Sequence, residues 1–332
     1  MSIEAATTMD DQNVKNLLSK LPHARWYLSG KVSDKVPFYP ELTNHCNFKC
    51  IYCPHSVYRK ESAGGNKFNR EKGYMSDELW NLVLENASKY ASYIGLGFFG
   101  EPLLHPAFQR YIELIPHNRP YGLIIFDNWS LVTREKMEIL KRFNCVVISL
   151  DASHSALWER LCPGGAVLDP NGMPSEGRYR TLVEKIEYWL SLKDHAATQL
   201  CCVISSTNEH DTEEFVNKWR PKIGKRDVVL TKTIISYGGI MKDSYMSRCK
   251  CDVLSCRPFQ VAWNGDCTPC NLDVNIEWNV GNLLEARDIK SIMEGEKWRQ
   301  AISKIGSREG ICANCLDGNN RPKDRFYRKK NV

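Results

Sequence analysis

Short runs of β-branched and apolar residues recur along the first two thirds of the chain. They fall at Phe38 to Thr43, Tyr93 to Phe99, Gly122 to Phe126, Cys145 to Leu150, Leu200 to Ser205 and Asp227 to Thr233, each bounded by polar residues, Gly or Pro. Stretches of helical period lie between them: Asp77 to Tyr90, with Ser76 as N-cap and acids in its first turn, Ala107 to Ile115, Arg134 to Phe143, Tyr179 to Leu192 and Thr212 to Trp219. Six strands alternating with helices predict an α/β fold in which a parallel sheet curves into a partial (β/α)6 barrel, with chemistry at the carboxyl ends of the strands. Two longer connections, Ser56 to Gly73 and Pro163 to Gly177, are rich in Gly, Asn, Ser or Pro and read equally as lids, substrate walls or simple insertions. After about Ser236 the alternation stops and cysteines crowd in. The expected organisation is an N-terminal extension over 1–35, the barrel over 36–235, a small cysteine-rich domain over 236–320 and a basic tail over 321–332.

Composition narrows the picture. A chain of 332 residues with 42% hydrophobic content can bury a large core. No apolar run approaches the about 18 residues of a membrane span, and the first 25 residues lack a signal-peptide centre, so a cytoplasmic protein without membrane contact is expected. Fourteen cysteines without a secretion signal point to metal or redox use under reducing conditions. The net charge of +6 arises from 45 basic residues interspersed with 39 acidic ones and does not call for nucleic-acid binding. The densest basic stretch, Arg321 to Lys330, reads as a solvated, frayed end.

Cys46, Cys50 and Cys53 form a C-x3-C-x2-C run just after the first strand. Three thiolates so close can hold three irons of a [4Fe-4S] cube and leave the fourth open, whereas structural zinc closes with four ligands. The run resembles the signature of radical S-adenosylmethionine (SAM) enzymes. The resemblance implies that S-adenosylmethionine chelates the open iron and is cleaved to a 5′-deoxyadenosyl radical, in a TIM-like partial barrel, with Tyr52 packing near the adenine. Gly97-Phe-Phe-Gly-Glu-Pro102 resembles the family's Gly-Gly-Glu motif, which places Gly100, Glu101 and Pro102 at the methionyl ammonium. Asp127 to Val132 resembles the Thr-Asn-Gly-Ser-Leu-Leu segment near ribose and substrate, with Asn128 as the matching Asn. Trp129 stands in that segment's glycine position, where a bulky residue tolerates positive φ poorly, and is expected as a flat wall beside the substrate. Ser149, Asp151 and Asn208 match strand-end positions that contact the cosubstrate, or else satisfy backbone groups.

Cys256 begins an alternating stretch with Asn264-Gly265 as a hairpin turn, ending at Cys270; Asn279 to Leu283, a helical stretch containing Trp298, and Cys312-Ala-Asn-Cys315 follow. This resembles the SPASM/twitch extension of the same family. The resemblance implies an auxiliary [4Fe-4S] cluster on Cys256, Cys270, Cys312 and Cys315, for which four-cysteine zinc is the alternative. Cys249, Cys251 and Cys267 are left over, with Cys249 and Cys251 as candidate hydrogen donors. Cys145, Cys201 and Cys202 read as core residues and Trp80 and Trp189 as barrel packing. Cys162 can face the active site, and His55 and Arg59 can reach substrate or solvent.

The expected function is a radical SAM oxidoreductase of natural-product biosynthesis acting on a small hydroxylated, sugar- or aminocyclitol-like substrate. Dehydrogenation is preferred to epimerisation. A maturase of ribosomally made peptides is the runner-up, because only 35 residues precede the first strand where a leader-binding module would lie. A flavodoxin or ferredoxin is the expected reductant.

Overall fold

The computed structural model describes residues 35–55, 68–248, 251, 253, 257–317 and 324–329. The six apolar runs form β1 (Val36–Pro40), β2 (Ala91–Leu96), β3 (Gly122–Asp127), β4 (Cys145–Ser149), β5 (Ala197–Ile204) and β6 (Val228–Thr233). All five neighbouring pairs from β1 to β6 are parallel, and β1 and β6 do not meet, so the barrel is open on one side. Between these strands run α1 (Asp77–Tyr90), α2 (Phe108–Glu113), α3 (Arg134–Leu140), α4 (Ser155–Leu161), α5 (Arg178–Ser191) and α6 (Thr212–Trp219). Ser76 caps α1 by accepting from the Leu79 amide.

Strand alternation sorts the core into two faces. Leu123, Ile125, Val146, Ile148, Leu200, Cys202 and Val229 pack outward against the helices, together with the fully buried Trp80, Trp158, Trp189 and Trp219. Tyr93, Ile124, Cys145, Val147, Cys201 and Leu230 fill the lower lumen, closed by the hydrogen-bonded Tyr39 and Tyr93 hydroxyls. Cys145, Cys201 and Cys202 are thus core residues, as expected. Two residues further on, Phe126, Ser149, Val203 and Lys232 remain partly exposed, so the lumen is unfilled toward the carboxyl ends of the strands.

On the other side of β1 the sheet continues. β7 (Phe259–Val261) pairs parallel with β1 and forms a hairpin with β8 (Asp266–Thr268) around Asn264-Gly265. Short β9 (Gly281–Asn282) completes this edge, and α7 (Leu283–Ala286), α8 (Ile289–Met293) and α9 (Glu296–Gly306) follow. Trp298, on α9, stacks on Phe259.

Two expectations are overturned. Trp129 is not a substrate wall: it is fully buried, edge-on to Trp189 at 5.6 Å, and keeps the left-handed φ of 64° that its position demands. Packing outweighs backbone preference here, since left-handed backbone costs about 1–2 kcal/mol against about 3–5 kcal/mol for emptying a buried tryptophan site. The basic tail is not frayed throughout. Arg325–Tyr327 forms β10, antiparallel to β6, with Phe326 against the lower lumen residues and Asp324 accepting from the Thr233 amide at 2.7 Å. Phe326, set among the charges, allows this, because a strand needs only one buried face.

Candidate functional site

The loop after β1 carries the cysteine triplet, and its neighbours fix its path. Thr43 Oγ1 donates to Gly73 O at 2.7 Å, and Asn44 bonds to Glu71 and Gly73. The Glu101 amide donates to His45 O at 2.7 Å. Gly100, at φ +87°, approaches so closely that a Cβ would lie 2.5 Å from Thr43 O and 2.6 Å from His45 O, which only glycine permits. On the opposite side the amides of Lys49 and Ile51 donate to Pro163 O and Leu161 O, both at 2.9 Å. Asn47 donates to Ser130 Oγ and accepts from Asn128 Nδ2. Asn128 therefore lies against the cluster loop.

Burial pushes the thiols of Cys46 and Cys53 up, Cys53 to about 11; Glu101 adds to the effect on Cys46. Cys50 is pushed well above the ordinary thiol range by its hydrogen-bonding contact with Cys162 and by burial, with Cys53 and Cys46 adding charge. Sheltered thiols that are costly to ionise alone fit a metal cluster, whose positive charge deprotonates coordinating thiols outright. Lys72 stands beside them, donating to Asn44 O at 2.7 Å and meeting His55 Nδ1 at 2.8 Å. Burial and Lys72 together push His55 down to about 3, and its ring stacks on Phe68. Arg59 lies outside the described residues. Lys72 went unnoticed in the sequence because nothing in a Gly- and Asn-rich connection distinguishes one lysine from its neighbours.

Glu101 is buried, and burial followed by the charge of Asp127 drives its carboxyl well above the usual range. Its oxygens accept from the Leu103 and Asn128 amides at 3.1 and 3.0 Å, and the carboxyl also makes a hydrogen-bonding contact with Asp127. Pro102 opens the short 3-10 turn that aims the Leu103 amide. Tyr52 is buried and donates to Asp151 Oδ2, and its hydroxyl lies 3.3 Å from Cys162 Sγ. Burial lifts Asp151 to about 6, while Oδ1 takes the Val203 amide at 2.7 Å. Asn208 spends its amide on Asp151 O and Val203 O and its oxygen on Ser205. Asp151 and Asn208 thus satisfy backbone groups, one of the two expectations; Ser149 stands half-exposed at the end of β4. Lys232, in the lumen beside Cys201, was missed although a lysine within an apolar run was a visible signal.

In the C-terminal part, Cys270 and Cys312 are buried in one cluster with Val253 and Ile305, against which Cys251 packs. Burial raises the thiols of Cys270, Cys312 and Cys315; Cys251 contributes to the first two, and Cys312 and Cys315 sense each other. The Trp278 indole N–H, without an ordinary partner, faces the Cys312 sulfur, a donor ready for a thiolate. The structure therefore brings Cys251 together with Cys270, Cys312 and Cys315; Cys249 and Cys256 lie outside the described residues. Cys267 is fully buried and donates to Gly265 O at 3.2 Å, in the main core. Ser236 bonds twice to Asp317, tying the end of this region to the barrel's last loop.

Comparison with known proteins agrees with this geometry. Residues 41–218 match the model of the radical SAM superfamily, and residues 249–316 that of SPASM, an iron-sulfur cluster-binding domain. Over 106 residues the chain is 31% identical to the S-adenosyl-L-methionine-dependent 2-deoxy-scyllo-inosamine dehydrogenase of Niallia circulans; the match covers 30% of this chain and 38% of that relative's length. Two solved structures share the fold. BtrN in complex with AdoMet and 2-DOIA superposes with TM-score 0.53 at 20% identity, covering 86% of this chain and 95% of BtrN. SuiB of Streptococcus suis, bound to precursor peptide SuiA, gives 0.61 at 13% identity, covering 99% and 83%. The two matched domains imply a S-adenosylmethionine-binding [4Fe-4S] cluster and an auxiliary iron-sulfur cluster as cofactors. The chain belongs to the radical SAM superfamily, with a SPASM domain following its barrel.

Proposed function

We propose that the protein oxidises a hydroxyl-bearing carbon of a small aminocyclitol- or sugar-like substrate to a ketone. The observation that carries this reading is the gathering of Cys251, Cys270, Cys312 and Cys315, because a cluster held by four thiolates has no iron left for substrate and is suited to accept an electron. Partial identity to a dehydrogenase of 2-deoxy-scyllo-inosamine supports the substrate class. When bound, S-adenosylmethionine and the clusters supply a radical that takes a hydrogen atom and an acceptor for the electron left behind.

The chain's own residues do the rest. Cys46, Cys50 and Cys53 hold the first cluster, and Cys251, Cys270, Cys312 and Cys315 hold the second. Gly100 lets the backbone close on the cluster loop, and Glu101, paired with Asp127, offers its carboxyl oxygens to the methionyl ammonium. Asp151 and Asn208 hold the ends of β4 and β5 in register and fix Tyr52 at the adenine side. Asn128 and Ser149 line the mouth above the lumen. Lys232 donates a hydrogen bond to the substrate oxygen as its hydroxyl gives up a proton, where negative charge collects.

Anaerobically reduced holoenzyme given 2-deoxy-scyllo-inosamine is the test. One ketone per 5′-deoxyadenosine supports the reading. Cosubstrate cleavage that the aminocyclitol leaves unchanged, with the aminocyclitol recovered intact, contradicts the substrate class and turns attention to peptides.

A further inference from the structure

The pair Tyr52 and Asp151 includes a third member that no cluster motif calls for. Cys162 ends α4 and begins Cys162-Pro-Gly-Gly165, a segment that runs beside the cluster loop. The backbone bonds from Ile51 to Leu161 O and from Lys49 to Pro163 O flank Cys162 on either side, so its carbonyl faces away and its side chain turns toward the cluster loop. Gly165, at φ +65°, lies against Asn47 O and the Phe48 ring, where a Cβ would stand 2.6 Å from each. Arg178 fastens the outer side: it bonds to Gly164 O and to Cys162 O, and its guanidinium covers Phe48 and Trp158. The thiol held this way is 3% exposed, with Tyr52 Oη at 3.3 Å and Asp151 Oδ2 at 3.9 Å, and it stands against Cys50.

The hydrogens can be followed one by one. Tyr52 has a single hydroxyl proton and gives it to Asp151 Oδ2. The other oxygen of Asp151 accepts from the Val203 amide. Tyr52 therefore has no proton for the Cys162 sulfur; the Cys162 proton can turn to Tyr52 Oη at 3.3 Å, to Asp151 Oδ2 at a long 3.9 Å or to the Cys50 sulfur, and the first two already share the Tyr52 proton. Cys50 as a cluster ligand is a thiolate, the strongest acceptor against which Cys162 stands. We propose that Cys162 is a positioning residue whose thiol donates a hydrogen bond to the Cys50 sulfur and so sets the reduction potential of the S-adenosylmethionine-binding cluster. This rests on Cys46, Cys50 and Cys53 being that cluster's ligands. A donor at a cluster sulfur favours the more negative, reduced state and raises the potential. Water cannot replace the donor readily in so closed a place.

Reduction of the reconstituted holoenzyme, titrated potentiometrically and followed by electron paramagnetic resonance, reads this directly. Cys162→Ala is expected to keep the full iron content and to shift the midpoint of this cluster to more negative potential, leaving the auxiliary midpoint in place. Cys162→Ser, which keeps a donor with a shorter reach, is expected to fall between Ala and wild type; a merely structural role would not order the three this way. An unchanged or more positive midpoint in Cys162→Ala overturns the proposal. So does loss of about half the iron in that variant, which would make Cys162 a ligand. Cys50→Ala separates the two levels of the argument: if it retains the site's signal, the ligand assignment fails, whatever Cys162 does.

Discussion

Glu101 shows how one side chain serves both the fold and the chemistry. Its two oxygens hold the Leu103 and Asn128 amides, so removing it altogether would strand two buried donors and confuse binding with folding. Glu101→Gln keeps the shape and an acceptor but cannot become the carboxylate that an arriving ammonium would favour. A hydrogen bond to a charged group contributes about 1.5–3 kcal/mol, so S-adenosylmethionine should bind about ten- to a hundredfold more weakly by equilibrium titration, with iron content unchanged. Equal affinity would remove Glu101 from the cosubstrate site. Trp129 poses the opposite question, since its backbone asks for glycine and its ring for the core. Because the cavity term exceeds the conformational relief, Trp129→Gly should lower the thermal midpoint; a midpoint that rises would mean that the strain dominates.

At the scale of elements, the six barrel strands were legible because each is a short apolar run between polar boundaries, and β1 to β6 all appear within a few residues of where the pattern puts them. Less legible was what covers the sheet's edges. β7 joins β1 across more than two hundred residues, and β10 joins β6 from a stretch whose lysines and arginines masked Phe326 and Tyr327. The lower end of the barrel adds a titrating contact between elements. His195, just before β5, bonds through Nε2 to Asp227, just before β6, at 3.1 Å, and through Nδ1 to Leu192 O. The Asp227 hydrogen bond raises the His195 pKa above its ordinary 6.5. Its contribution is therefore complete below pH 6.5 and is lost as pH rises through the higher folded-state value. Denaturant unfolding of the cluster-loaded protein should show wild-type stability falling over that window relative to His195→Gln; parallel curves would show that the pair does not titrate with folding.

For the molecule as a whole, the sequence made the cysteine triplet legible, because close spacing along the chain guarantees closeness in space. The auxiliary set was legible only in part. Cys256, Cys270, Cys312 and Cys315 were marked by the resemblance, and Cys256 lies outside the described residues; Cys251 looked like a spare thiol, and its packing beside Cys270 and Cys312 is what the sequence did not show. Asp127, Lys72 and Lys232 were not singled out, since each acquires its meaning from a neighbour far away in sequence. The same holds for Lys185, a buried cation that donates to the carbonyls of Ser130, Val132 and Leu168 and which burial lowers to about 8. The account assigns the barrel to hydrogen abstraction and the C-terminal thiols to accepting the electron that follows. Mass spectrometry of the product formed in heavy water tests this division most directly. Oxidation should yield a product two hydrogens lighter than the substrate, with no deuterium fixed at the reacting carbon. A product of unchanged hydrogen count carrying one deuterium there would mean that a thiol returns a hydrogen atom, and would contradict the electron-accepting role of Cys251, Cys270, Cys312 and Cys315.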